Sequence, residues 1–189
     1  MAKGIPSVSS DRSLDRSIRE YALTFPGLDT QGISAHLAVV RAFAAIDEVL
    51  NEFLQPYGLN RTRYTILRVL LTSPEGKMTM NEIRSRMRTV STNVTRMVEV
   101  LAQDGAVQRE TAPNDRRVVH VSLTPKGEEL AHTVVPRVGE LCNSMWSPFS
   151  ADEHSELVEL LARFRVHMEA HHLHINDGAL LAAGAAGGH

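Results

Sequence analysis

Arg116 and Arg117 follow directly on Pro113-Asn114-Asp115. A Pro-Asn-Asp run reverses the chain, so two permanently charged, planar guanidiniums stand where a hairpin turns. That chemistry suits a phosphate or a nucleic-acid groove. A short strand leads in from Arg109, and the returning strand alternates. Val119, Val121 and Leu123 fall on one of its faces, with Val118, His120 and Ser122 on the other. Asp115 is placed to pair with Arg109 or Arg116 and stiffen the turn, leaving Arg117 to enter a groove; the plainer reading is an ordinary Asn-Asp turn.

Upstream of the hairpin, Val90 to Asp104 reads as an amphipathic helix. Its exposed first half carries Ser91, Thr92, Asn93, Thr95 and Arg96. Short hydroxyl and amide side chains approach base edges closely; Arg96 suits the two acceptors of guanine and Asn93 suits adenine. Arg84, Arg86 and Arg88 come just before and are assigned to the phosphate backbone, where contacts position a protein and make its affinity steeply salt-dependent. The plainer alternative is that all of these are solvated or capping residues. A helix followed by a basic hairpin is the pattern of a winged helix-turn-helix, and it makes double-stranded DNA the leading partner.

The charge distribution agrees. The 189 residues carry a net charge of −2. Residues 60–127 hold twelve Lys/Arg against six Asp/Glu, whereas the rest holds eight against sixteen. A +6 middle between acidic flanks is the footprint of one lobe that grips phosphates. No apolar run approaches the roughly 20 residues of a membrane span, and the N-terminus has no signal-like apolar region, so no membrane partner and a cytoplasmic location are expected. The lone Cys142 excludes an internal disulfide.

The elements that must position these residues are mostly helical. Residues 1–10 read as a flexible N-terminus. Leu14, Ile18, Tyr21, Ala22 and Phe25 mark a first helix, stopped by Pro26-Gly27. A long helix from about Thr30 to Gln55 presents Val39, Phe43, Ile46, Leu50 and Phe53. Asn60 caps the next, Thr79 and Glu82 form a capping box, and Gly105 ends the proposed recognition helix in a left-handed conformation. Thr124 caps a further helix with Pro125 at its first position, and Pro136 is expected to interrupt it with a kink. Ser150 and Glu153 form a second capping box.

The expected fold is therefore mainly α with one β-hairpin. A winged lobe at 59–127 is embedded between helices at 11–58 and 128–175 whose wide apolar faces call for a partner subunit, and 176–189 forms a disordered tail.

The run from Leu59 to Gly127 resembles the MarR family of bacterial transcription regulators. The residues that carry this are Leu59-Asn60, Tyr64, Leu67, Met78-Thr79, Ile83, Met87, Val94-Thr95-Arg96-Met97-Val98, Leu101, Gly105 and Val107-x-Arg109. Asp115-Arg116-Arg117 followed by Val121-x-Leu123-Thr124-x-x-Gly127 is the most specific part. Val90 stands where the family usually has a capping Ser, which passes that task to Thr89 or Ser91. The extra N-terminal helix and Pro26-Gly27-Leu28-Asp29-Thr30 are similar to a subgroup associated with urate-type ligands. Tyr21 replaces the tryptophan expected there, and the ligand is not carried over.

The resemblance implies a homodimeric repressor on a pseudo-palindromic operator, released by a small aromatic or anionic effector. His36, Arg41, Tyr64 and Arg68 are the candidates to line an effector cleft and bind a carboxylate; each alone reads more readily as a core or interface residue. No cofactor and no catalytic constellation is expected. His167, His171, His172 and His174 read as solvated histidines at a helix C-terminus rather than metal ligands, and Cys142 as a buried structural thiol. The open alternatives are a metal- or redox-sensing regulator of the same fold, a winged-helix protein-interaction module without DNA binding, and a small-molecule scavenger or enzyme using the cleft.

Overall fold

The computed structural model describes residues 12–87, 93–112 and 115–176. Helix α1 (Arg12–Thr24) gives way at Pro26-Gly27, where Gly27 adopts a φ of 92°. Helix α2 (Gln31–Leu54) is opened by Asp29, whose carboxylate accepts from the Gln31 amide at 2.9 Å, and not by the side chain of Thr30. A 3₁₀ turn over Gln55–Tyr57 closes on Gly58, again in the left-handed region at φ 67°.

Helix α3 (Arg61–Leu71) forms the centre of the core. Asn60 Oδ1 accepts from the Arg63 amide at 2.9 Å, filling one of the orphan donors at the helix start. Ile66, Leu67 and Leu70 are almost fully buried, alongside Leu54, Ile83, Val98, Leu101, Val121 and Val134. The Thr79–Glu82 capping box forms as expected and starts α4 (Met80–Arg86): the Thr79 amide donates to the Glu82 carboxylate at 2.6 Å, and the Glu82 amide returns to Thr79 Oγ1 at 3.2 Å.

The hairpin belongs to a three-stranded antiparallel sheet. Strand β1 (Lys77–Thr79) pairs with β3 (Asp115–Leu123), which also pairs with β2 (Val107–Ala112), giving the order β1-β3-β2. Met78 faces Val121 and Val107 faces Leu123. Sequence reasoning finds β2 and β3 but misses β1, because so short a strand is too brief for a period of two to show.

Helix α6 (Pro125–Trp146) is capped by Thr124 as expected, its hydroxyl accepting from the Gly127 amide at 3.1 Å. Pro136 lies inside this helix, which continues on both sides of it: a single missing N–H removes one bond while the turns on either side keep theirs. Helix α7 (Ala151–Asn176) opens on the Ser150–Glu153 box. The chain divides into two compact units, one through Cys142 and one from Asn143. The second holds an aromatic cluster, with the Trp146 and Phe149 rings 5.5 Å apart and His154 Nε2 3.1 Å from the Trp146 carbonyl. No helix of the described residues is long and apolar enough to cross a membrane.

Candidate nucleic-acid interface

The candidate interface is carried by α4, by α5 (Val94–Gln103) and by the β2–β3 wing. Helix α5 is strongly two-sided. Val94, Val98 and Leu101 are buried against the core, while Asn93, Thr95 and Arg96 are exposed. The helix begins at Val94, with Asn93 at its N-cap (φ −113°, ψ 30°), later than the Val90 start expected from sequence. Arg88, Ser91 and Thr92 lie outside the described residues.

Polar contacts fix how α5 is held. Arg63 meets Asp104 at its C-cap at 3.7 Å, and Asn60 Nδ2 approaches Met97 Sδ at 3.9 Å. From the other side, Arg109 on β2 meets Glu99 at 3.8 Å. Arg109 stands opposite Val121 in the ladder, and its guanidinium reaches α5; the expected pairing of Asp115 with Arg109 or Arg116 falls on a side chain outside the described residues.

Arg84 and Arg86 are both exposed on the last turn of α4. Arg84 bridges the two helices: its Nη1 donates to Asn81 Oδ1 at 3.2 Å and its Nη2 to Thr95 Oγ1 at 2.8 Å. Sequence reasoning assigns Arg84 and Thr95 to separate tasks and does not foresee this link. They stand 11 residues apart in the chain, so no local spacing signals the contact.

In the wing, Ala112 pairs with Asp115 while Thr111 pairs with Val119. Residues 116–118 are therefore an insertion in β3 without counterparts on β2, a bulge that falls on Arg116 and Arg117. Bulges near a hairpin end raise local twist and take residues out of ladder pairing. The side chains of Asp115, Arg116 and Arg117 lie outside the described set.

The proposed effector-lining residues divide. Tyr64 is buried and Arg68, one turn on, is exposed. Burial pushes the Tyr64 phenol above its ordinary value, Arg68 pulls it partly back, and Cys142 adds to the rise. Cys142 is thus half-buried near Tyr64 rather than deep in the core. Arg41 Nη2 donates to Ser17 Oγ at 3.1 Å and so meets α1, while His36 is an exposed residue of α2. No cluster of three or more metal-ligating side chains occurs among the described residues. The side chains of His171, His172 and His174 fall outside them.

Comparisons with known proteins point one way. The model of the MarR family matches residues 57–118. The chain is 30% identical over 139 residues to the uncharacterized HTH-type transcriptional regulator YkoM of Bacillus subtilis, covering 74% of this chain and 89% of that one. It is 29% identical over 110 residues to the transcriptional repressor MprA of Escherichia coli, covering 58% and 62%. Among solved structures, a mutant MarR of E. coli complexed with operator DNA superposes with a TM-score of 0.64 at 26% identity, covering 71% of this chain and 96% of that one.

Proposed function

This chain belongs to the MarR family of transcription regulators, and we propose that it is a homodimeric, sequence-specific repressor that reads a pseudo-palindromic operator and releases it when a small aromatic or anionic molecule binds. The observation that carries the DNA reading is the two-sided helix α5. Its apolar face is locked into the core by Val94, Val98 and Leu101, and its exposed face offers Asn93, Thr95 and Arg96 beside Arg84 and Arg86. The relative solved on operator DNA supports the same use of this lobe. Arg96, Thr95 and Asn93 take the base edges together with Ser91 and Thr92. Arg86 and Arg88 take phosphates, and Asp115, Arg116 and Arg117 form the wing tip.

Exposed apolar side chains support the homodimer. Leu23 is 80% exposed and Phe25 55% around the end of α1, and Val158 is 67% exposed and Val166 58% on α7. Apolar surface on this scale is costly in water and is removed by a second copy. The effector reading rests on Tyr64 and Arg68, a neutral phenol and a guanidinium one turn apart, a pair suited to an aromatic carboxylate. A repressor acts where the chromosome is, which places it in the cytoplasm.

Selection from a randomised duplex pool, followed by affinity against salt for the winning site, tests this reading. The expected result is a two-fold pseudo-palindrome with half-sites about one helical turn (~34 Å) apart. Absence of enrichment, with binding that vanishes at moderate salt, would remove the sequence-specific repressor.

A further inference from the structure

Thr95 occupies the second residue of α5, on its exposed face, and accepts a hydrogen bond from a charged donor. Arg84 supplies that donor from α4 while its other terminal nitrogen is held by Asn81 one turn earlier on the same helix. The guanidinium is therefore anchored at both ends, in a planar fork that cannot swivel without losing one bond.

A threonine hydroxyl holds one hydrogen and two lone pairs. Left alone it rotates, and it serves a base edge equally as donor or acceptor. With a guanidinium donating into its oxygen at 2.8 Å, the hydrogen is turned away from Arg84 and its polarity is raised by the adjacent cation. We infer that Arg84 is a specificity-positioning residue: by donating to Thr95 it occupies one of the hydroxyl's two lone pairs and biases the group towards donating, which favours a base presenting an acceptor over cytosine.

In the major groove guanine presents N7 and O6, adenine N7 and thymine O4, whereas cytosine presents only its N4 amino donor. A hydroxyl biased to donate offers cytosine only its second lone pair, beside a guanidinium whose positive charge opposes the amino hydrogens. This departs from a phosphate role for Arg84, which would carry no sequence information. The inference rests on the DNA-reading function proposed above.

The test is selection from a randomised duplex pool with the full-length wild type, Arg84→Ala, Thr95→Val, Thr95→Ser and the Arg84→Ala/Thr95→Val double variant. Thermal unfolding checks that each variant folds. The wild type should exclude cytosine at one position of each half-site, by roughly three- to tenfold, the range of a single hydrogen bond. Arg84→Ala should readmit cytosine at that position and leave the other positions unchanged. Thr95→Val should flatten the same position, Thr95→Ser should keep the exclusion, and the double variant should add nothing to Thr95→Val.

A uniform loss of affinity in Arg84→Ala with all base preferences intact would overturn the inference and return Arg84 to the phosphates, as would effects of the two residues at different positions. Failure of the wild type to enrich any site is a separate result. It would defeat the DNA-reading function itself and the inference with it.

Discussion

Gly127 lies directly against the backbone of Ala106. A Cβ at position 127 would overlap the Ala106 carbonyl oxygen and stand 2.7 Å from its carbonyl carbon. Three bonds surround this approach. The Thr124 amide donates to the Ala106 carbonyl at 3.1 Å, Thr124 Oγ1 donates to the Gly105 carbonyl at 2.6 Å, and Lys126 Nζ donates to the Asp104 carbonyl at 2.7 Å. The start of α6 thereby satisfies the open carbonyls at the end of α5. The recognition helix is held at its C-terminus by the helix that follows the wing.

Gly127→Ala should consequently destabilise the protein by about 1–3 kcal/mol, the usual cost of forcing an extra carbon into a packed site. At Gly139 on the same helix an added Cβ would meet nothing within 4 Å, so Gly139→Ala should be neutral or gain up to about 1 kcal/mol from helix propensity. Chemical denaturation of the two variants checks this; equal effects would remove the close approach as the cause.

The capping box makes stability pH-dependent. Hydrogen bonds from the Thr79 amide and hydroxyl hold the Glu82 carboxyl below its ordinary value of 4.5. A depressed folded value means that its stabilisation is complete above 4.5 and is lost as the pH falls through the lower folded value. Glu82→Gln should therefore be less stable than wild type at neutral pH, and the difference should shrink in acid. Thermal midpoints recorded between neutral pH and the acid limb test it. Thr79→Ala should cost about 1 kcal/mol at neutral pH.

Arg61 joins α3 to α2 through one stripe of residues. Its guanidinium lies 4.8 Å over the Phe43 ring and pairs with Asp47, while its backbone amide donates to Asn51 Oδ1 at 3.0 Å. Both charged side chains remain partly exposed, so their coupling should be modest, about 0.5–1 kcal/mol in a double-mutant cycle of Arg61→Ala and Asp47→Ala. Arg61→Lys should not restore full stability, because an ammonium lacks the planar face that stacks on Phe43. Additive single effects in urea unfolding would show that the pair is not coupled.

Arg96 and Arg117 should separate base reading from backbone grip. Arg96→Ala should cost about 1–3 kcal/mol on the selected operator and relax one position. Arg117→Ala should weaken specific and random duplexes alike and lower the salt slope by about 1, with the oligomeric state unchanged. Equal losses on specific and random DNA for Arg96→Ala would move that residue to the phosphates.

Much of this protein is determined by local sequence alone. Asn60, Thr79 with Glu82, Thr124 and Ser150 with Glu153 each cap the helix that their spacing announces, because a cap is settled within about three or four residues. The same holds for the apolar faces of α3 and α5, for the left-handed Gly105 and for the strand that alternates through Val121. What tertiary structure alone decided is long-range. Strand β1 exists because Met78 finds Val121, on the far side of two intervening helices and a strand. Gly127 must be glycine because Ala106 arrives against it, and Arg109 meets Glu99 because the packing of β2 beside α5 places it there. Arg84 and Thr95 show the division most directly. Each is legible as an exposed polar residue near DNA, but only the packing of α4 on α5 brings guanidinium and hydroxyl to hydrogen-bond distance. Short-range periodicity encodes which face is apolar; it carries no information about which distant polar group will stand opposite.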